Sequence, residues 1–299
     1  MNVDCASTLR NSDPVIDLQP VLARLRPRLH RYCARMTGSA VDGEDVVQET
    51  LAKAAAAYMP NAVGHLEGWL FRIAHNAALD FIKQRMRTDD AGAGDDLEDL
   101  ADSEATADQR YAVAANLRTF MRLPALQRSA VILMDVLGYS LQEICELMQM
   151  NLPSIKSALH RGRSRLREIA QEPDNTVPAS LPEPQRRLLA AYVERFNAHD
   201  FDAIRDMLAD EVQLELVNKL RLAGRAAVSS YFGNYSSLSD WRAAAGAVDG
   251  RAAMLLYVDG HDESAPAGPA YFVLLEWRED RVIAIRDFRY ARYVVESFE

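Results

Sequence analysis

Residues 42–51 of this chain read Asp-Gly-Glu-Asp-Val-Val-Gln-Glu-Thr-Leu, and residues 154–163 read Ser-Ile-Lys-Ser-Ala-Leu-His-Arg-Gly-Arg. In both stretches the apolar residues recur at the three- and four-residue steps of an amphipathic α-helix. The polar face of the first helix carries carboxylates and an amide, whereas that of the second carries cations. The two stretches therefore predict two amphipathic helices.

The region around the first stretch predicts a helical module over residues 18–88. Two apolar stripes predict the first two helices: Leu22, Leu25, Leu29, Tyr32 and Met36, and then Val47, Leu51, Ala54 and Tyr58. A third helix is expected from about Leu66, with Leu70, Ile73, Ala77 and Phe81 on its inner side. The same spacing aligns polar residues on its outer side: Arg72, Asn76, Asp80, Lys83 and Arg87. A solvated helix face fits this pattern as well as a binding surface does.

The region around the second stretch, residues 113–172, predicts a helix-turn-helix. Ser140 and Glu143 form a capping box at the start of the first short helix, and Asn151 is expected to cap the second. The second helix is expected to bury Leu152, Ile155, Leu159, Leu166 and Ile169. Its outward residues are Ser154, Lys156, Ser157, His160, Arg161 and Arg163. A cationic second helix of this kind fits the major groove of DNA, although a generic helical hairpin has the same pattern.

Two breaks divide the chain into modules. Residues 89–112 are predicted to be an acidic linker, because residues 89–108 hold nine carboxylates, no cation and almost no large apolar side chain. Residues 173–184 are predicted to be a Pro-rich linker, because prolines remove backbone donors. The net charge of -9 alone would discourage a nucleic-acid function, but the two helical modules are mildly basic.

Several kinds of site are not expected. No apolar run is long enough to span a membrane and the N-terminus lacks a signal-peptide pattern, so we expect a cytoplasmic protein without membrane contact. Cys5, Cys33 and Cys145 lack the spacing of a zinc site or a redox pair. We therefore expect no metal site and no cofactor.

The first module resembles region 2 of the bacterial extracytoplasmic-function (ECF) sigma factors. Residues 42–51 and residues 69–80, Trp-Leu-Phe-Arg-Ile-Ala-His-Asn-Ala-Ala-Leu-Asp, follow each other in the family's order. The resemblance implies that Asp45, Gln48 and Glu49 dock on the β′ clamp helices of core RNA polymerase. It also implies that residues 59–67 and the helix after them capture unstacked bases of the −10 element. The DNA side would be Arg72, Asn76, Lys83, Arg85 and Arg87.

The second module resembles region 4 of the same family, whose second helix reads the −35 element. Its outward residues listed above would then contact DNA, and core RNA polymerase, including its β subunit, and promoter DNA are the implied partners. The family frequently has an arginine where this chain has Ala158, which suggests that one contact is missing. The alternative of an ordinary two-domain repressor does not explain residues 42–51.

Residues 185–299 predict an acidic α+β domain. Helices are expected around residues 188–196, over Phe201–Leu208 and over Arg225–Tyr235, all of them before the strands. Strands are expected at Trp241–Ala247, Ala252–Val258, Tyr271–Trp277 and Val282–Tyr290. This order suggests helices on one face of a curved antiparallel sheet. The fold class is thus multidomain, with two all-α modules followed by an α+β domain.

Residues 192–204, Tyr-Val-Glu-Arg-Phe-Asn-Ala-His-Asp-Phe-Asp-Ala-Ile, resemble the opening of SnoaL-like domains, which form a cone. The candidate cone pocket comprises Trp241, Tyr257, Tyr271, Asp287 and Tyr290. Some family members are small-molecule cyclases or hydrolases, so an enzyme tethered to a DNA-binding module is the alternative function. Because Asp287 lies between Arg286 and Arg289, a structural ion pair is expected there and no catalytic residue is assigned. In some ECF sigma factors a fused SnoaL-like domain regulates the sigma modules, which implies that it replaces a separate anti-sigma factor.

Overall fold

The computed structural model describes residues 18–58, 65–89, 112, 115–172, 180–236, 241–258 and 268–298. Within these residues the chain forms an N-terminal module (18–89), a helix-turn-helix module (115–172) and a C-terminal domain (180–298). Residues 59–64 of the expected base-capturing loop, most of the acidic linker and residues 173–179 of the Pro-rich linker lie outside the described residues.

Three helices form the N-terminal module: α1 (Leu18–Thr37), α2 (Ala40–Ala57) and α3 (Leu66–Asp89). The apolar stripe on α1 is buried as its spacing predicts, with Leu25, Leu29, Tyr32 and Met36 in the core. Helix α2 begins after Ser39, whose hydroxyl accepts a hydrogen bond from the amide of Asp42. Phe71 and Leu70 on α3 close this core.

The helix-turn-helix module contains α4 (Leu117–Phe120), α5 (Ala125–Val131), α6 (Leu141–Met148) and α7 (Leu152–Gln171). Helix α5 continues as a π-helical turn over Ile132–Val136. The predicted capping box of Ser140 and Glu143 starts α6, and the side chain of Asn151 caps α7. The turn between α5 and α6 uses Gly138 at a positive φ of 77°.

The C-terminal domain has the element order helix, helix, two strands, helical segments and four strands. Its helices are α8 (Glu183–Asn197), α9 (Phe201–Asp206), α10 (Arg225–Ser229) and α11 (Gly233–Ser236), with a 3₁₀ turn at Ser230–Phe232. Its strands are β1 (Leu208–Leu216), β2 (Leu220–Ala223), β3 (Trp241–Val248), β4 (Arg251–Val258), β5 (Tyr271–Arg278) and β6 (Arg281–Asp287). A 3₁₀ segment, Arg292–Phe298, follows β6.

The strands form one six-stranded sheet in the order β2-β1-β6-β5-β4-β3. The α+β class is confirmed, but the expected order of helices before strands is wrong, because β1 and β2 precede α10. Alternating burial of Val212, Leu214 and Leu216 is the strand signal that the prediction missed. The expectation of a purely antiparallel sheet is also wrong, since β1 and β6 pair in parallel. Helix α8 starts at Glu183, two residues before the predicted boundary, and Leu181 is already buried.

The sheet is covered on both faces. One face packs under α8 and α9 around Phe196, Met254 and Ile285. The other face presents Phe272, Leu274 and Phe288, which pack in one cluster with Ala40 and Val41 of the N-terminal module. The N-terminal and helix-turn-helix modules share a single hydrophobic core. The C-terminal domain therefore lies directly against α1 and α2.

Two searches of the described residues found no candidates. None of the described helices is long and apolar enough to cross a membrane. No group of three His, Cys, Asp or Glu side chains in the described part of the chain is arranged to hold a metal ion.

Candidate functional site

The acidic face of α2 is occupied by arginines of the C-terminal domain. Arg286 on β6 donates to both carboxylate oxygens of Asp45, at 2.6 and 3.3 Å, and to Glu215 at 2.9 Å. Burial alone would lower the pKa of Arg286, but Asp45 and Glu215 raise it, so the guanidinium stays charged. Asp45 is exposed in part and takes Arg286 as its partner.

Two further arginines extend this contact along α2. Arg251 at the start of β4 pairs with Asp42 at 2.5 Å, and Arg221 on β2 donates to the amide oxygen of Gln48 at 3.4 Å. Glu49, which is also exposed, pairs with Lys53 one turn further on. The structure thus places the predicted residues Asp45, Gln48 and Glu49 on one face, and the C-terminal domain binds the first two.

A tight hairpin between β3 and β4 contacts the N-terminus of α2. The carboxylate of Asp249, at its tip, accepts hydrogen bonds from the hydroxyl of Ser39 at 2.7 Å and from the amide of Val41 at 3.0 Å. A carboxylate is favourable at a helix N-terminus because the first amides of the helix have no intrahelical acceptor. Asp249 and Arg251 therefore bind α2 from one hairpin.

The 3₁₀ segment at the C-terminal end contributes a buried link. Tyr293 Oη donates to Glu44 at 2.9 Å and accepts from Arg26 at 2.8 Å, while Arg26 also pairs with Glu44. Glu44 is fully buried, and burial raises its pKa against the opposing effect of Arg26. This network joins α1, α2 and the C-terminal domain.

The predicted DNA side of α3 lies largely in solvent. All five residues predicted there are exposed: Arg72, Asn76, Lys83, Arg85 and Arg87. Two of them have partners, because Arg72 donates to the carbonyl of Glu146 at 3.2 Å and Arg85 pairs with Asp42 at 3.1 Å. The five residues therefore lie on one helix, and Arg72 is hydrogen-bonded to the helix-turn-helix module.

Helix α7 presents five of its six predicted outward residues on its accessible sides. Lys156 is exposed, and Ser154, Ser157, His160 and Arg161 are half-buried. Arg163 is a correction. Its guanidinium makes a two-pronged pair with Asp135, at 2.6 and 2.9 Å, and the Asp135 side chain is only 2% exposed. Arg163 therefore holds the module together.

Two predictions about packing on α7 are wrong. Leu152, expected in the core, is 43% exposed and occupies the first position of the helix. Ala158, considered as a lost DNA contact, is fully buried. A side chain at this position faces the core, so its small size removes nothing from the outward face.

The candidate cone pocket divides into two groups. Asp287 is fully buried and accepts from Tyr231 Oη at 2.7 Å and Tyr235 Oη at 2.8 Å, and Tyr271 Oη lies 3.4 Å from Tyr235 Oη. Trp241 packs against Phe196 with ring centroids 4.7 Å apart. Aromatic side chains thus surround the carboxyl group, and burial raises its pKa.

Tyr257 and Tyr290 are corrections, because neither joins this group. Tyr257 alternates with the inward residues Leu256 and Val258 of β4 and therefore points to the opposite face of the sheet. Tyr290 follows the end of β6 and is 49% exposed, with Lys219 over its ring. The expected ion pair of Asp287 with Arg286 is also absent, since Arg286 points away from Asp287 to Asp45.

Comparison with known proteins gives two family matches. Residues 21–88 match Sigma-70 region 2, and residues 117–166 match Sigma-70, region 4. The chain is 30% identical over 145 residues to the ECF RNA polymerase sigma factor SigM of Mycobacterium tuberculosis, covering 48% of this chain and 71% of SigM. This chain belongs to the ECF sigma factors.

Two further similarities concern the length of the chain and its C-terminal domain. The ECF sigma factor SigE of Mycolicibacterium smegmatis is 32% identical to this chain over 158 residues. The match covers 51% of this chain and 62% of SigE. The chain thus spans less than two thirds of that relative. The structure of an NTF-2-like protein of Burkholderia xenovorans is 18% identical, with a TM-score of 0.28. The match covers 35% of this chain and 81% of that protein.

Sequence reasoning missed five residues of the C-terminal domain that contact α2 or its N-terminus. They are Arg221, Asp249, Arg251, Arg286 and Tyr293. The Asp249-Gly250 dipeptide between two predicted strands is a hairpin signal, which could have located the tip. The sequence around the hairpin tip does not indicate its contacts, because the residues that it binds lie more than 200 positions away in sequence.

Proposed function

We propose that this chain is an alternative sigma factor that binds core RNA polymerase and directs promoter-specific transcription initiation. Membership of the ECF family supports this function, and so does the acidic face of α2. In this proposal Asp45, Gln48 and Glu49 bind the β′ clamp helices. The exposed cations and amide of α3 bind the −10 region, and the accessible residues of α7 other than Arg163 read the −35 element.

The C-terminal domain restrains this activity by occupying the docking face. The observation that carries this step is the pairing of Arg286 with Asp45, supported by Arg251 on Asp42 and Arg221 on Gln48. Because the C-terminal domain packs against this side of α2, a polymerase helix cannot pack on the same face while the domain is in place. A tethered domain acts at an effective concentration on the order of millimolar, so it can do the work of a separate anti-sigma factor.

Catalysis in the C-terminal domain is not part of the proposal. A general acid or base needs access to a substrate within hydrogen-bond distance. The carboxylate of Asp287 is instead enclosed and receives two tyrosine hydroxyls and the amide of Arg289. These contacts support a structural role for Asp287.

Transcription assays with two matched variants test the proposal. Arg286→Glu places a carboxylate beside Asp45 and Glu215, whereas Arg278→Glu changes an exposed arginine of the same sheet that pairs with Glu211. We expect purified chain and core polymerase to give promoter-specific transcripts. We also expect Arg286→Glu to raise affinity for core polymerase about fivefold, since a partly exposed pair contributes roughly 1 kcal/mol.

The outcomes separate the two parts of the proposal. Absence of specific transcripts from a panel of genomic promoters, with every variant, would exclude the sigma-factor function. Specific transcripts with equal polymerase affinity for the parent chain, Arg286→Glu and Arg278→Glu would keep that function and exclude restraint through Arg286.

A further inference from the structure

Three cations of the C-terminal domain surround the turn that follows β6. Each lies over a tyrosine ring at 5.3 to 5.9 Å from its centroid: Arg289 over Tyr235, Arg292 over Tyr271 and Lys219 over Tyr290. Within the described part of the chain none of the three forms an ion pair. Most other arginines of this domain do, as Arg278 does with Glu211. The turn therefore carries positive charge that the described residues do not neutralise.

The two arginines lie close to the same hydroxyl group. Burial raises the pKa of Tyr271, whereas Arg289 and Arg292 both act to lower it, so both guanidiniums are near its oxygen. The buried carboxylate of Asp287 does not pair with either guanidinium. Its oxygens accept instead from two tyrosine hydroxyls and from the backbone amide of Arg289. The N–H edges of both arginines thus stay available for another anion.

Phosphate groups fit this arrangement better than a single carboxylate does. A guanidinium above an aromatic ring can still donate from its edge, and arginine donates paired hydrogen bonds to phosphate oxygens. Lysine binds phosphate as a point charge. One phosphate monoester carries roughly two negative charges at neutral pH, whereas a carboxylate carries one. A diphosphate therefore matches three cations.

The same turn is joined to the interface with the N-terminal module. Asn218, which precedes Lys219, donates to the carbonyl of Tyr290 at 3.4 Å and to Tyr293 Oη at 3.0 Å. Tyr293 follows Arg292 in the chain, and its hydroxyl donates to Glu44 of α2. Two of the three cations are thus chain neighbours of residues that hold this link to α2.

We propose that Lys219, Arg289 and Arg292 bind the diphosphate group of a small molecule, and that its binding loosens the docking of the C-terminal domain on α2. One ligand held by all three side chains draws them away from their separate tyrosine rings. Movement of Lys219 and Arg292 displaces their neighbours Asn218 and Tyr293. A ligand that binds the undocked arrangement better shifts the chain toward it. The effect on docking rests on the proposed sigma-factor function for its meaning, whereas the site does not.

Side-chain N–H resonances of arginine in the full-length chain test the site, with sodium pyrophosphate as the probe. Arg289→Gln and Arg292→Gln assign the two signals, because each substitution removes one. We expect pyrophosphate to shift both signals with an affinity about tenfold higher than that of sulfate, since the second phosphate adds charge-assisted hydrogen bonds. The signal of Arg242, which lies over Tyr257 on the opposite face of the sheet, should not move.

The same substitutions should weaken binding. In Arg289→Gln the affinity is read from the signal of Arg292, and in Arg292→Gln from that of Arg289. Each variant should bind pyrophosphate about tenfold more weakly than the parent chain, because one charged donor is lost. Arg242→Gln, which also removes an arginine from a tyrosine ring, is the matched control and should bind as the parent does.

Hydrogen exchange at the amide of Val41 tests the effect on docking, because this amide donates to Asp249 of the C-terminal domain. Saturating pyrophosphate should accelerate this exchange about fivefold, as expected for loss of one partly exposed contact. Sulfate at equal ionic strength should accelerate it less. The double variant Arg289→Gln, Arg292→Gln should respond equally to the two salts.

Three results would overturn the site. They are unchanged signals of Arg289 and Arg292 at millimolar pyrophosphate, an equal affinity for sulfate, and a shift of the same signals by duplex DNA at lower concentration than by pyrophosphate. Shifted signals with no change at Val41 would keep the site and overturn its effect on docking. Neither measurement contains polymerase, so failure of the chain to bind polymerase would count against the proposed function alone.

Discussion

The N-terminal module makes two interfaces that are built in different ways. Toward the C-terminal domain, a small apolar cluster and the buried Glu44, which binds Tyr293, are flanked by charged pairs that are partly in solvent, such as Asp45 with Arg286. Toward the helix-turn-helix module, the core is continuous and its polar groups, Tyr32, His75 and Ser129, are buried. The first interface therefore carries more solvent-exposed charge than the second.

This difference predicts the order in which the two interfaces separate. Partly exposed ion pairs contribute little each and weaken with salt, whereas buried hydrogen-bonded groups are costly to separate. A competing partner with its own cations can replace Arg286 and Arg251 on α2 one pair at a time. Separation of the helix-turn-helix module requires loss of a shared core. Undocking of the C-terminal domain would therefore precede separation of the helix-turn-helix module.

The largest effect should come from pH, because each interface contains one buried histidine. Burial lowers the pKa of His75, beside Ser129, to about 4, and burial with nearby arginines lowers that of His30, beside Tyr293, to about 4. Both values lie below the ordinary 6.5, so the unfolded chain binds more protons between these limits. Stability is then complete above pH 6.5 and is lost as the pH falls toward 4.

Urea unfolding at pH 7 and pH 5 measures this effect. Each histidine should lower the free energy of unfolding by about 2 kcal/mol between the two values. His75→Gln should remove the part that belongs to the helix-turn-helix interface, and His30→Gln the part at the C-terminal interface. An unchanged pH dependence in His75→Gln would show that its imidazole does not resist protonation in the fold.

Local signals predicted most of the helices and four of the six strands. The capping box of Ser140 and Glu143 located α6, and the apolar stripes located α1 to α3. The prediction missed strand β2 because four residues are too few to show a period. It missed β1 because the helix predicted over Phe201–Leu208 included the first residue of that strand. Long periodic segments are therefore readable, whereas short ones depend on their neighbours in the sheet.

The sequence indicated which residues form the acidic face of α2, but it did not indicate that the C-terminal domain covers this face. The motif of residues 42–51 indicated an acidic docking face, and Asp45 and Glu49 are exposed there. No local pattern indicates that Arg286 covers Asp45, because the two are 241 residues apart in sequence. Arg163 was assigned to DNA for the same reason, since its partner Asp135 lies in the π-helical turn after α5 and not on α7.

Arg128→Met should break the helix-turn-helix interface with an intermediate effect. Arg128 is 5% exposed, and its guanidinium donates to the carbonyls of Met36 and Leu123, which the substitution leaves without these donors. We expect the free energy of unfolding to fall by about 3 kcal/mol. Arg122→Met, which removes an exposed pair with Glu172, is the matched control and should leave the melting temperature unchanged. Equal stability of the two variants would contradict a polar anchor at Arg128.

Salt should give the smallest effect and should act on one interface alone. The amide of Val41 reports directly on docking of the C-terminal domain, because its hydrogen bond is to the carboxylate of Asp249. Raising NaCl from 0.1 to 1 M shortens the Debye length from about 10 to about 3 Å. Hydrogen exchange at Val41 should then accelerate up to about fivefold, the factor equivalent to 1 kcal/mol, while exchange within α5 stays constant.

Asp249→Asn sharpens this last measurement. The amide oxygen of asparagine can still accept from Val41, but the charge that favours the helix N-terminus is gone. Exchange at Val41 should start faster in this variant and respond less to salt. If salt accelerated exchange in α5 as much as at Val41, the two interfaces would share one electrostatic contribution, and the proposed order of opening would lose its basis.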